Sequence, residues 1–142
     1  MGTVRNILQI KGNAVHSVSP DTSVYDALES LEEKNLGALV VVDNGKLIGI
    51  FTERDYARKV ILKGRSSKDT LVRDIMSGQP IYVTPDTTIE ECMHLMTNKF
   101  IRHLPVIDRD ELIGVISIGD VVKFVIKEKD FIIENLEHYI TG

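Results

Sequence analysis

Apolar residues recur along this chain in two alternating rhythms. Val24, Ala27, Leu28 and Leu31, and later Ile89, Cys92, Met93 and Met96, fall at i, i+3, i+4 and i+7, which predicts two amphipathic helices. Ser23 with Asp26, and Thr88 with Glu91, stand where a capping box would start them. The pattern then changes to short continuous apolar runs, Leu39–Val42 and Leu47–Phe51, which predict strands covered on both faces. Asn44 and Gly45 separate these runs and tolerate the positive φ of a tight type I′ hairpin, whereas Arg109 and Asp110 at the same place later in the chain predict a weaker turn. Thr52 and Ser117 each open a second helix, the first expected to run to about Leu62 and stop at Gly64. Arg65–Thr70 is polar and reads as a linker. From Lys127 onward, charged residues alternate with Phe131, Ile132, Ile133, Leu136, Tyr139 and Ile140, the spacing of an amphipathic helix that packs on something.

These paired elements are two copies of one unit. At an offset of 65 residues Val18, Pro20, Asp21 and Thr22 meet Val83, Pro85, Asp86 and Thr87, and the match continues without a gap through Leu47, Ile48, Gly49 with Leu112, Ile113, Gly114 to Asp55 with Asp120. An echo at offset 68 pairs Val4, Arg5 and Ile7 with Val72, Arg73 and Ile75, so each copy is expected to own a short helical lead-in. The expected organisation is a first repeat with its lead-in over 1–64, a linker over 65–71, a second repeat over 72–126 and a helical tail over 127–142. With two copies, a closed pair is expected in place of a solenoid.

Composition narrows the chemistry. A net charge of -4 over 142 residues gives no general attraction for phosphate backbones or anionic lipid, so neither a nucleic-acid nor a membrane partner is expected, and any bound anion must meet a local cluster of donors. The one cysteine, Cys92, cannot form an intrachain disulfide and lies on the apolar stripe as a core thiol. With no charged-then-apolar leader over Met1–Lys11, a reducing cytoplasmic setting is expected. Met1 and Gly2 open like a lipidation signal, but Asn6 stands where Ser or Thr is required. The apolar runs Ala38–Val42 and Leu112–Ile116 are far shorter than the ~20 residues of a membrane helix. His16, His94, His103 and His138 show neither an i, i+4 pair nor a companion cysteine, so no metal site is expected. No phosphate loop, dinucleotide fingerprint, or nucleophile with a base is visible, and no catalytic residue is assigned.

What both copies share is a hydroxyl followed three residues later by a carboxylate, at a strand-to-helix corner: Thr52 with Asp55, and Ser117 with Asp120. The spacing is that of a capping box. Its recurrence in register also fits a nucleotide, since a helix N-terminus suits a phosphate and a carboxylate one turn in can accept two ribose hydroxyls. Arg54 and Arg58 in the first copy, and Arg102, His103 and Lys123 in the second, supply nearby positive charge.

At these residues the chain resembles tandem cystathionine-β-synthase-type (CBS) domains, a Bateman module, from Val4 to about Ile126. The V-x-P-D-T strand end, the L-V-V-V-D and L-P-V-I-D strands, the L-I-G strand and the S/T-x-x-D corner coincide in order, and Thr52–Tyr56 is similar to stand-alone prokaryotic CBS pairs. The resemblance implies an α+β fold of two β-α-β-β-α repeats packed sheet to sheet with pseudo-two-fold symmetry, and clefts between them that bind AMP, ADP, ATP or NAD(H), less often S-adenosylmethionine. It further implies that Asp55 and Asp120 hold ribose hydroxyls, that Thr52 and Ser117 contact the α-phosphate, and that Arg54, Arg58, Arg102 and His103 neutralise phosphate. Val15, His16 and Val18 in one copy, and Pro80, Ile81 and Val83 in the other, would line the adenine pocket. Gly37 and Ala38 stand where the second copy has Arg102 and His103, so the two sites should differ.

The leading expectation is a non-enzymatic sensor of adenine nucleotides, acting in signal transduction or energy sensing as a homodimer or on a regulated protein. The alternative is a purely structural homodimerisation module in which both aspartates are helix caps.

Overall fold

The computed structural model describes residues 2–141; Met1 and Gly142, the outermost positions of the expected first repeat and tail, lie outside them. In chain order the elements are α1 (Val4–Lys11), β1 (Ser17–Val18), α2 (Val24–Lys34), β2 (Ala38–Asp43), β3 (Lys46–Thr52), α3 (Glu53–Lys59), a 3₁₀ turn (Ile61–Lys63), α4 (Val72–Ile75), β4 (Ser77–Gly78), α5 (Ile89–Lys99), β5 (His103–Asp108), β6 (Glu111–Ser117) and α6 (Ile118–Thr141). The fold is α+β, as expected. No helix of the described residues is long and apolar enough to cross a membrane.

The described chain forms two compact units, one of residues 15–81 and the other of residues 2–14 with 82–141. In the first, the strand order is β1-β2-β3-β4, with β1 parallel to β2 and the other pairs antiparallel. Val24, Ala27 and Leu31 of α2 pack there on Leu39, Val41 and Phe51 of the sheet, with Val72 and Ile75 of α4. In the second, β5 and β6 form an antiparallel pair under Ile89, Cys92 and Met96 of α5 and Val4, Ile7 and Leu8 of α1. The hairpin turns agree with their sequences: Asn44 and Gly45 both take positive φ (51° and 77°), and Arg109 and Asp110 adopt the same conformation (51° and 66°) without a glycine to ease it.

Three expectations are corrected. The lead-ins are exchanged. α1 docks on the second repeat, where Val4 N–H donates to the Thr87 carbonyl at 2.9 Å and Arg5 N–H to that of Pro85 at 2.9 Å. α4 docks on the first repeat, with Val72 N–H to Thr22 O and Arg73 N–H to Pro20 O, both 2.9 Å. Ion pairs Arg5–Asp86 and Arg73–Asp21 repeat the arrangement. Helices this short do not persist alone, and the carbonyls of the P-D-T corner satisfy N–H groups that a helix start leaves unpaired. Secondly, the tail is not a separate element: α6 runs unbroken for 24 residues, and its distal half lies exposed. Thirdly, the second helix of the first repeat is shorter than expected, ending at Lys59 before the 3₁₀ turn that Gly64 (φ 69°) closes.

The lead-ins also explain the glycine of each L-I-G strand. A Cβ on Gly49 would stand 2.5 Å from Met76 Sδ, and one on Gly114 would stand 2.8 Å from Leu8 Cδ2. Met76 and Leu8 are equivalent under the 68-residue offset, so in both units a lead-in side chain lies flat on the strand where only glycine leaves room.

The two sheets differ at both edges for local reasons. Val40 N–H donates to the His16 carbonyl at 3.4 Å, which supports β1. Its counterpart Pro105 has no N–H, and the parallel pairing there shrinks to the single bridge Val83–Val106. On the other edge Ile50 of β3 pairs with Ser77 of β4. After Ile75 the chain reads Met76, Ser77, Gly78, a poor helix sequence, and turns into that strand; α1 instead carries Gln9, Ile10 and Lys11 before Gly12, and stays helical.

Candidate functional site

Each hydroxyl–carboxylate corner is a strand end that becomes a helix start. At the first, Thr52 Oγ1 accepts from Asp55 N–H at 3.1 Å, while Asp55 Oδ2 accepts from Thr52 N–H at 3.0 Å and from its hydroxyl at 3.1 Å. At the second, Ser117 Oγ accepts from Asp120 N–H at 3.2 Å and Asp120 Oδ2 accepts from Ser117 N–H at 2.8 Å. The capping geometry is therefore present at both. Capping orients the carboxylates without using all their acceptor capacity, because a carboxylate offers about four lone-pair positions.

Register brings further expected residues to these corners. Ala38 lies opposite Thr52 and His103 opposite Ser117. Glu53 N–H donates to the Gly37 carbonyl at 3.2 Å and Ile118 N–H to that of Arg102 at 2.9 Å, so each helix start is tied to the strand that opens beside it. Arg54 and Arg58 lie on exposed positions of α3, and Arg102 is exposed ahead of β5. Val15 is half-buried and His16 exposed, next to β1. Pro80 and Ile81 fall in the unit of residues 15–81, whereas Val83, Arg102, His103, Ser117 and Asp120 fall in the other. Lys123 lies on α6 beside Lys127, facing α1.

Two lysines complete the corners, and neither was among the expected site residues. Lys59 Nζ pairs with Asp55 Oδ1 at 3.2 Å and donates to the Ile75 carbonyl at 3.0 Å. Its i, i+4 spacing from Asp55 was a readable signal. Lys11 Nζ, from α1, donates to Asp120 Oδ2 at 2.7 Å and to the Val115 carbonyl at 2.6 Å. Val115 is the counterpart of Ile50, so the ammonium caps a strand edge that β4 covers in the other unit. No sequence signal joined Lys11 to Asp120, since the repeat pattern assigned α1 to the wrong copy.

Charge at the second corner follows from these contacts. Burial by itself works against an ionised Asp120, but the hydrogen bonds from Lys11 and Ser117 outweigh it and hold the carboxyl below its ordinary range. Burial, then the Lys11 and Arg102 charges, lower His103 below its ordinary value, against the opposing pull of Asp120. Cys92 is fully buried, and burial with the neighbouring Glu91 pushes its thiol up to about 11, consistent with a core thiol.

Comparison with known proteins agrees with this architecture. The CBS domain model matches twice, at residues 7–62 and 72–127. The chain is 45% identical over 149 aligned positions to the mitochondrial CBS domain-containing protein CBSX3 of Arabidopsis thaliana, covering 99% of this chain and 72% of that protein. A putative signal-transduction protein with CBS domains from Burkholderia ambifaria is 51% identical, with a TM-score of 0.86 over 88% of this chain and 94% of that one. The structure of CBSX2 in complex with AMP is 33% identical, with a TM-score of 0.72 over 91% of this chain and 99% of that one. With two matched domains spanning most of its length, this chain belongs to the CBS-domain family as a tandem CBS regulatory module.

Proposed function

We propose that this CBS pair is a sensor whose two corners bind adenine nucleotides, and that it passes the signal on through its own assembly or a regulated protein. The observation that carries the reading is the duplicated corner: a hydroxyl and an oriented carboxylate at a helix start, repeated in register. The AMP complex of the 33%-identical CBSX2 supports an adenine ligand. Asp55 and Asp120 accept the ribose hydroxyls, Thr52 and Ser117 contact the α-phosphate, and Arg54, Arg58 and Arg102 supply positive charge. His103 adds a ring donor beside Arg102. Val15, His16, Pro80 and Ile81 contact the base. Asp55 is held by a lysine of its own helix and Asp120 by one from α1, so the two corners bind with different affinities among AMP, ADP, ATP and NAD(H).

The test is a titration of AMP, ADP, ATP, NAD, NADH and S-adenosylmethionine, with GMP as control, followed by calorimetry and thermal shift. A ligand at ~100 times its Kd adds about 2.7 kcal/mol, several degrees for a chain of this size. Alanine at either aspartate would remove a helix cap and cost about 0.5–2 kcal/mol, so the diagnostic variant is Asp55→Asn with Asp120→Asn, which keeps a capping oxygen and loses the ionised acceptor. Loss of adenine-nucleotide binding in the folded double variant supports the reading, and unchanged affinity refutes it.

The structural alternative also has an observation behind it, since both corners are complete caps without a ligand. The distal half of α6, with Phe131, Ile132, Ile133, Leu136, Tyr139 and Ile140 exposed, is the surface through which two copies pair. That homodimer is part of both readings, and the nucleotide titration separates them.

A further inference from the structure

Where the unit of residues 15–81 carries β4 against its strand edge, the other unit carries the longer helix α1, which also packs beside α6. A pocket of about 320 Å³ lies between α1 and α6, within one compact unit. Its apolar wall comes from Ile7 and Ile10 on α1 and from Phe124 on α6. Its rim carries three ammonium groups and one carboxylate. Lys11 is neutralised by Asp120 at 2.7 Å. Lys123 and Lys127 have no ion pair among the described residues, and they stand one turn apart on the same helix face. Like charges at i, i+4 work against a helix, and Asp120, three residues before Lys123, is already engaged by Lys11.

We infer that this pocket is a second ligand site, for a small anion with an apolar body, such as a carboxylate or phosphate on a short hydrocarbon chain or a single ring. The volume lies at the low end of the ~300–1,000 Å³ of small-molecule sites. The apolar wall takes the body, and Lys123 and Lys127, whose stems can lie along that wall, bring their charges to the anionic head. At the β3 edge the position equivalent to Ile10 is Gly78 of β4, which pairs with that edge through its backbone. The pocket adjoins the second corner, with which it shares Asp120, and does not rest on the nucleotide reading.

Octanoate is the probe, followed by amide chemical shifts and calorimetry on the full chain, with acetate supplying the charge alone and 1-octanol the body alone. The expected result is saturable binding of octanoate that shifts the amides of α1 and of residues 120–127, at least tenfold tighter than either control. Lys127→Glu and Ile10→Gln, both at exposed positions, should each weaken octanoate at least fivefold and leave the AMP titration unchanged. The inference is overturned if 1-octanol binds as tightly as octanoate, if the shifts map elsewhere, or if Lys127→Glu binds octanoate as the parent does. A failed AMP titration alongside intact octanoate binding would count against the nucleotide reading alone.

Discussion

Lys11 serves two acceptors with one ammonium, the Asp120 carboxylate and the Val115 carbonyl, and this sets the titration of the corner. Because Asp120 is held below its ordinary range, its contribution to stability is present above the unfolded carboxylate value and is lost as pH falls through the folded one. His103 has the same sign. Its folded value lies below 6.5, so its contribution is complete above about pH 6.5 and declines as acid forces a proton onto a half-buried ring. The midpoint of thermal unfolding should therefore fall between about pH 7 and pH 5, and His103→Gln should flatten that part of the curve. Lys11→Gln should act in the carboxylate range and, by removing a charge that lowers His103, should also shrink the His103 step. Asp55 and Asp120 were legible as site candidates because their spacing from a hydroxyl repeats. The lysines that hold them were not equally legible: Lys59 is one helical turn away, but Lys11 reaches Asp120 across 109 positions of chain.

At the scale of elements, the lead-in helices and the L-I-G strands explain each other. Gly49 and Gly114 are equivalent in sequence, but their surroundings differ in stiffness. A Cβ on Gly49 would meet Met76 Sδ and the Ser77 carbonyl oxygen at 3.0 Å, which belongs to the paired strand β4. One on Gly114 would meet only the side chain of Leu8, whose tip can rotate away. Gly49→Ala should thus cost about 1–3 kcal/mol in denaturant unfolding, with Gly114→Ala costing visibly less. Equal costs would show that the two lead-ins yield equally. The hairpins carry a related lesson. Asn44–Gly45 was readable as a positive-φ turn from its residue types, whereas Arg109–Asp110 adopts the same turn because the flanking strands require it.

For the whole molecule, the distal half of α6 is the feature that its own unit does not use. A 24-residue helix is about 36 Å long, and its last turns expose Tyr139 and Ile140 at 88% and 80%. If two copies pair there, Ile133→Glu with Ile140→Glu should convert a dimer to a monomer in size-exclusion chromatography with light scattering, with little change in the unfolding of either unit. A dimer that persists in the double variant would move the interface elsewhere. The periodicity of this segment was legible. That it continues α6 was not, because Lys127, Glu128, Lys129 and Asp130 read as the start of a new polar stretch, and only the unbroken backbone hydrogen bonding joins them to what precedes.

The sequence by itself determined the duplication, the amphipathic faces of α2 and α5, the hairpins, the L-I-G glycines and the two hydroxyl–carboxylate corners. All of these follow from local periodicity, turn chemistry and capping, which act over a few residues and leave a trace in spacing. Only the tertiary structure decided that α1 and α4 trade places, that a lysine from α1 sits on Asp120, and that one sheet has four strands and the other two. Those outcomes depend on which apolar face meets which P-D-T corner, on an N–H that Pro105 does not have, and on a helix that runs four residues further than its counterpart before Gly12 ends it. Contacts made over a hundred positions apart have no period to read, and here they distinguish one corner from the other.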